Sequence, residues 1–472
     1  MDVQAEDLNR RAEAADRQAE AAGRQARDDA PRLKGRHRWA KRIALALVLV
    51  VVAVGTLLGI AVERRLREES LGIAAVEAPS APRELEDSSG KTGAFTARVS
   101  YTSMAATEGQ QVATDVAWDD RWFFQDPTVY NHELATTCSV LSAVANAESA
   151  YYQEGSDAPA YMEEALAELG FDDISTASYQ YRSEVFDEVV DFLTGTDDVV
   201  AYSVATKRIT DGDGNTRTLY LVAIRGSYGS EWLSDLNMGD ASDYDMDAID
   251  HEGFARAAQE IVDDLEQRIT EDVELNGVGD VSLLFCGHSR GAATANLAAA
   301  YANERTQGLS PLAPLENIYC YTFATPTVTP VAHAHEALYD NIFNIMNPSD
   351  LVPRLPLESW GYRRYGRDFY LPGVGDAAFN EHYDEMQVAF EENVGTESPY
   401  VPEDRARVDA LVEELGRQVP TVEDLASVGG VTSVMRDLLM DINVMQVLYS
   451  HYPNVYIAWM QVIDGDDLMP AM

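Results

Sequence analysis

The sequence predicts an α/β protein, in which a mostly parallel sheet is flanked by helices and preceded by one transmembrane helix. Three observations lead to this fold class. An apolar run, VSLLFCGHSRG at 281–291, passes through a Gly-x-Ser-x-Gly turn into the small-residue helix AATANLAAAYANERT. Other strand-like runs, such as NIFNIM at 341–346, alternate with helix-like segments. Residues 43–62 contain no charged side chain.

The uncharged segment 43–62 is long enough to cross a membrane. As a helix rising ~1.5 Å per residue it spans ~30 Å, the thickness of a bilayer's hydrocarbon core. Basic residues crowd its N-terminal side, which places the N-terminus in the cytoplasm and the rest of the chain outside. A cleaved signal peptide has a shorter n-region and a shorter apolar stretch. We therefore predict a retained signal anchor and a single-pass membrane protein with an extracytoplasmic folded domain.

This anchor divides two electrostatic environments. The chain has 35 Lys+Arg and 79 Asp+Glu, which gives a net charge of −44. Residues 1–42 alone carry a net charge of +3, so the excess of acidic residues lies after them. Such acidity excludes a nucleic-acid partner, because phosphate binding requires a basic face. The tail 1–42 is predicted to be helical, and its seven-residue alanine repeat fits either a solvated helix or weak self-association. Residues 63–93 are predicted to be a flexible linker, and 94–472 the folded domain.

Cysteine and acidic patterns predict neither a disulfide framework nor a metal site. Cys286 and Cys320 lie in apolar strand-like runs and are interpreted as buried thiols, and with Cys138 they form no disulfide framework. DGDGNT at 211–216 lacks the glutamate that completes a calcium loop, and it is interpreted as a hairpin turn between two strands. No metal or cofactor is expected.

The Gly-x-Ser-x-Gly turn is typical of a nucleophile elbow, which holds a serine hydroxyl clear of the sheet. Gly287 and Gly291 leave room for the tight turn around Ser289. In this arrangement an acid and then a histidine follow the serine along the chain. Asp350 follows the strand-like run 341–346, in a proline-rich turn that places it at a strand end. Only His382 and His451 lie beyond it.

Six segments, in order, resemble the class 3 (fungal-type) lipase family. They are VAIRGSYGSEWLSDL at 222–236, HEGF at 251–254, the elbow, IYCYTFATPTV at 318–328, the acid loop NPSDLVPRLP with YRRYGRDFYLP after it, and HYPNVYIAW at 451–459. The resemblance covers roughly Val199–Met460. It implies an α/β-hydrolase-type fold and a serine esterase or lipase that needs no cofactor.

Carried over to this sequence, the resemblance implies a catalytic triad. Ser289 is the nucleophile, Asp350 the orienting acid and His451 the general base. The backbone N–H of Arg290 and the residue Ser227 are the expected oxyanion donors. His382 is the competitor of His451, but its neighbours are charged and the family's tyrosine five residues later is absent.

Two departures from the family pattern affect specificity. Arg290 replaces the usual leucine after the serine, where it either favours anionic head groups or pairs with a nearby carboxylate. The long segment 351–450 is predicted to include a cap over the site. The predicted function is a membrane-anchored serine hydrolase that cleaves carboxylic esters of lipids. The alternatives are a thioesterase or non-lipid carboxylesterase, and an inactive scaffold on the same fold.

Overall fold

The computed structural model of the chain describes residues 90–103, 111–149, 151, 158–181, 200–226, 252–330, 332–421 and 449–471. The tail 1–42, the anchor 43–62 and nearly all of the linker 63–93 lie outside these ranges and stay predictions. Within the described ranges, no helix has both the length and the apolar character needed to cross a bilayer.

The folded domain alternates strands and helices along the chain. Its described strands are β1 (Ala94–Thr102), β2 (Gln111–Asp119), β3 (Asp172–Ser175), β4 (Tyr202–Thr210), β5 (Thr216–Ile224), β6 (Val281–His288), β7 (Ile318–Phe323), β8 (Ile342–Met346), β9 (Arg367–Tyr370) and β10 (Met469–Pro470). Its described α-helices are α1 (His132–Glu148), α2 (Tyr161–Glu168), α3 (Glu252–Asn276), α4 (Arg290–Arg305), α5 (Ala377–Val394), α6 (Asp404–Gln418) and α7 (Pro453–Val462).

The main sheet has a parallel centre and antiparallel edges. Its strand order is β10-β9-β8-β7-β6-β5-β4-β3, and the five strands from β5 to β9 are parallel to one another. β3, β4 and β5 pair antiparallel, as do β9 and β10. The predicted α/β fold is confirmed, with a mixed sheet. The turn at 211–216 makes β4 and β5 antiparallel, because so short a connection cannot join parallel strands.

Two separate hydrophobic cores lie on the two faces of this sheet. On β5, Leu221 and Ala223 belong to the core that includes α1 and α7, whereas Val222 and Ile224 belong to the core of α3 and α4. This alternation is the two-residue period of a strand. Both cores cover β6, all eight residues of which are buried, as is typical of a central parallel strand. The three cysteines are buried and free, and the predicted burial of Cys286 and Cys320 is confirmed.

A β-hairpin precedes the sheet, and the sequence analysis did not predict it. β1 and β2 pair along their whole length and pack on α1 and α2. The buried ammonium of Lys207 on β4 donates to the Leu169 carbonyl at 2.8 Å and lies 3.8 Å from Asp120 Oδ1. Asp120 also accepts the Gly93 N–H at 2.9 Å. This buried pair therefore ties the end of the linker to the sheet.

The insertion between Asp350 and His451 contains two described helices. α5 packs against α7, where the rings of Phe379 and Trp459 lie 5.8 Å apart. α6 lies beside the acid loop, through Asp409 and Arg354 at 3.0 Å. Residues 422–448 lie outside the described ranges, so the cap remains a prediction.

Candidate active site

Ser289 occupies a strained turn between β6 and α4. Its φ of 59° and ψ of −128° are rare for a residue with a side chain, and such strain is typical of functional sites. A Cβ on Gly287 would lie 2.4 Å from the Gly291 carbonyl oxygen, and one on Gly291 would lie 2.3 Å from that of Ile224. The two glycines are therefore required for the close approach of β5, β6 and α4 around the serine.

The structure brings Ser289, His451 and Asp350 together. The His451 ring joins the other two side chains, with Nε2 2.8 Å from Ser289 Oγ and Nδ1 2.7 Å from Asp350 Oδ2. The three residues are 3 %, 9 % and 1 % exposed, so little water competes for these hydrogen bonds. The contacts span 162 and 101 residues of sequence, because the acid follows β8 and the histidine precedes α7.

His382 is not part of this cluster. It lies on α5, where its Nδ1 is 2.8 Å from Glu385 Oε2 and its Nε2 is 3.8 Å from Asp467 Oδ2. The hydrogen bond to Glu385 raises the pKa of His382 above its ordinary value. Of the two histidines that the sequence left as candidates, His451 is the one in contact with Ser289.

Tyr456 and Asn347 hold the acid in place. The Tyr456 hydroxyl donates to Asp350 Oδ2 at 2.7 Å and accepts the Asn347 N–H at 3.0 Å, while the Val352 N–H donates to Asp350 Oδ1 at 2.9 Å. Burial, and next the negative charge of Asp350, raise the pKa of Tyr456, so its hydroxyl remains a donor. Asn347 also donates to the Ser450 carbonyl at 3.0 Å, which joins the acid loop to the histidine loop. Sequence reasoning missed these contacts.

Arg364, in the loop just before β9, holds the acid loop in place. Its buried guanidinium donates to the Thr325 carbonyl at 2.6 Å, to Asp368 Oδ2 at 2.8 Å and to the Pro353 carbonyl. The loop after β7 and the acid loop after β8 are thus held by one side chain. Arginine suits this position because the nitrogens of its planar guanidinium donate to several acceptors at once.

His288 packs directly against the His451 ring. The ring centroids lie 4.6 Å apart, and His288 also contacts the Tyr456 ring at 5.5 Å. Complete burial, and next the proximity of His451, lower the pKa of His288 well below its ordinary value, so it is neutral. A neutral neighbour allows positive charge to form on His451 without electrostatic repulsion.

The expected oxyanion donors are described only in part. Arg290 is the first residue of α4, where a backbone N–H has no acceptor within the helix. Its side chain is 4 % exposed, which favours internal pairing over attraction of an external head group. Ser227 lies outside the described residues. In the described ranges, no group of three or more His, Cys, Asp or Glu side chains is placed to hold a metal ion.

Comparison with known proteins gives one segment of this chain a family resemblance. Residues 221–360, which include the elbow and the acid loop, match the family described as lipase (class 3). The resemblance to this family, within the α/β-hydrolase superfamily, is thereby confirmed for this segment.

Named relatives of the chain include secreted fungal enzymes. The secreted mono- and diacylglycerol lipase A of Penicillium cyclopium is 29 % identical over 225 residues, which cover 45 % of this chain and 70 % of that protein. The lipase of Rhizomucor miehei is 26 % identical over 166 residues, covering 34 % of this chain and 44 % of that protein. These relatives are carboxylic ester hydrolases by name, so the predicted enzyme class is confirmed.

Solved structures of fungal lipases are also similar to the chain. The native Rhizomucor miehei lipase propeptide complex is 25 % identical, covers 37 % of this chain and 53 % of that one, and has a TM-score of 0.29. The site is therefore described from the contacts within this chain alone.

Proposed function

We propose that the chain is a class 3 lipase, which hydrolyses carboxylic esters of lipids through a Ser289–His451–Asp350 triad and an acyl-enzyme. The observation that carries the proposal is the pair of buried hydrogen bonds, 2.8 and 2.7 Å long, that join the elbow serine through His451 to Asp350. Nucleophile, base and orienting acid are arranged in this way in serine hydrolases.

In the proposed first half-reaction, Ser289 Oγ attacks the ester carbonyl carbon while His451 Nε2 takes the hydroxyl proton. The tetrahedral intermediate collapses, the ester C–O bond breaks, and His451 returns the proton to the leaving alcohol. Water then attacks the acyl-enzyme with His451 again as base, which releases the carboxylic acid and restores Ser289. Asp350 accepts the His451 Nδ1–H throughout and stabilises the imidazolium.

The negative charge that develops on the carbonyl oxygen needs donors that are already in position. The proposed donors are the Arg290 backbone N–H, at the positive end of α4, and Ser227 after the end of β5. Losing one such donor typically costs about 3–4 kcal/mol of transition-state stabilisation.

Lipid esters are the proposed substrates because named relatives are mono- and diacylglycerol lipases. A non-lipid carboxylesterase or a thioesterase would use the same triad. A panel of esters and thioesters that differ in acyl length and head group separates these possibilities. A lipid hydrolase is expected to prefer oxygen esters of long acyl chains, a thioesterase to prefer thioesters, and a non-lipid carboxylesterase to prefer short acyl chains.

Labelling with a fluorophosphonate tests whether the chain is an active serine hydrolase. We expect Ser289 Oγ to displace fluoride from the phosphorus atom, so that the wild-type chain is labelled and Ser289→Ala is not. Ser282→Ala is the matched control. Ser282 is a buried serine of β6, the strand that leads to Ser289, and its hydroxyl has no hydrogen-bond partner among the described residues. An unlabelled wild type would favour the inactive scaffold, and a label retained in Ser289→Ala would exclude this nucleophile.

We further propose that residues 43–62 anchor the enzyme in a membrane, with residues 94–472 extracytoplasmic. The folded domain is acidic, so an anionic bilayer repels it and adsorption by charge is disfavoured. The full chain is expected to stay with membranes through alkaline carbonate extraction, whereas a chain without residues 1–62 is expected in the supernatant. Extraction of the full chain by carbonate would contradict the anchor.

A further inference from the structure

The C-terminal turn of α1 contacts the chain that leaves β5. The Gly226 N–H donates to Asn146 Oδ1 at 2.6 Å, and the Arg225 guanidinium donates to Ser149 Oγ at 3.0 Å. Both contacts are buried. α1 lies outside the segment 221–360 that matches the family, so the family match does not indicate these contacts.

Gly226 is confined between α1 and the nucleophile elbow. A Cβ on this residue would lie 2.5 Å from the His288 carbonyl oxygen, 3.2 Å from Asn146 Oδ1 and 3.4 Å from Ser289 Cβ. A backbone that passes so close to the serine moves only if the elbow or α1 moves with it. The position of Gly226 therefore depends on Asn146 from one side and on the elbow from the other.

Asn146 is an unfavourable residue for its place in the fold. Asparagine is a weak helix former, and burial of its amide costs free energy unless the amide is fully hydrogen-bonded. Asn146 is 4 % exposed, and its Nδ2 has no hydrogen-bond partner among the described residues. Packing and helix propensity alone would favour an alanine or leucine here. The contact with Gly226 is the one that explains the asparagine.

We propose that Asn146 is a positioning residue for the nucleophile elbow and the backbone beside it. Its side-chain carbonyl oxygen accepts the Gly226 N–H at 2.6 Å and so fixes the Arg225–Gly226 peptide against the elbow. Reacting groups act efficiently only if their position is set before the reaction. The inference rests on the proposed function, in which Ser289 is the nucleophile.

Asn146→Leu in the full chain tests this role, because leucine fills the same space without an acceptor. We expect kcat for ester hydrolysis to fall about 100-fold with KM within about threefold, since a small displacement of the elbow beside Gly226 misplaces the reacting serine. The rate of inactivation by a phosphonate, which resembles the tetrahedral intermediate, is expected to fall in parallel with kcat/KM.

Asn317→Leu is the matched control. Asn317 is also buried and donates to a backbone carbonyl, that of Val281 at 3.0 Å, but it lies at the opposite end of β6. It is expected to lose stability and to keep wild-type kcat. An equal loss of kcat in both variants, or wild-type kcat in Asn146→Leu, would overturn the proposal.

Asn146→Ser is a second variant that adds no apolar bulk, and its shorter side chain does not reach the Gly226 N–H. It is expected to reduce kcat as Asn146→Leu does, and wild-type kcat in this variant would also overturn the proposal. Failure of the proposed function is distinguishable, because the wild-type chain itself would then lack Ser289-dependent labelling and hydrolysis.

Discussion

Replacing His451 with alanine is expected to lower kcat for ester hydrolysis by about 10⁴- to 10⁶-fold, because the proposed base of Ser289 is then lost. A neutral serine hydroxyl is a weak nucleophile, and Nε2 of His451 is the ring atom in contact with its oxygen, at 2.8 Å. KM is expected to change little, since the imidazole acts on the reacting atoms. Steady-state hydrolysis of a chromogenic ester measures both parameters.

His382→Ala is the control for this variant. His382 contacts Glu385 and Asp467 on the insertion side of the domain and does not touch Ser289. Its kcat is expected to equal that of the wild type. If His382→Ala were inactive and His451→Ala active, the base would be misassigned and the observed contact between His451 and Ser289 would have only a structural role.

Asp350→Asn is expected to lower kcat by about 10⁴-fold while the fold is kept. In the wild type, Asp350 Oδ1 accepts the Val352 N–H, and Oδ2 accepts both the His451 Nδ1–H and the Tyr456 hydroxyl. An asparagine that keeps the Val352 bond turns its NH₂ group towards these two donors. The ring then carries its proton on Nε2, facing Ser289, and cannot act as the base.

Asp409→Asn tests whether the loss of any carboxylate near the acid loop has this effect. Asp409 accepts from Arg354 at 3.0 Å, but its side chain is 48 % exposed. An exposed ion pair contributes little, so kcat and thermal stability are expected to be close to wild type. Activity of Asp350→Asn within about tenfold of wild type would contradict the orienting role.

Local patterns predicted a large part of the fold and of the candidate site. The elbow around Ser289, the hairpin turn at 211–216 and the placement of Asp350 after a strand depend on residues within one turn or one strand of each other. Steric limits on the backbone, and the room that glycine provides, act over that distance. The uncharged segment 43–62 is a local pattern of the same kind, and it predicts the anchor from hydrophobicity alone.

The order of residues narrowed the base to two histidines, and the resemblance to class 3 lipases favoured His451 over His382. The structure brings His451 to Ser289 because the histidine precedes α7, which packs in the same core. The contacts that Tyr456 and Asn347 make with the acid and histidine loops were hidden, because each joins residues about a hundred positions apart in the chain.

Sequence patterns were therefore sufficient for the α/β fold and the elbow, and the resemblance named the candidate residues. Tertiary packing brought His451 to Ser289 and placed Arg364 behind the acid loop and Asn146 against Gly226. The physical reason is the range of the interactions. Backbone sterics and hydrophobic periodicity act between near neighbours in the chain. Asn146 and Gly226 are 80 positions apart in the sequence, and they come into contact only when α1 and β5 pack together.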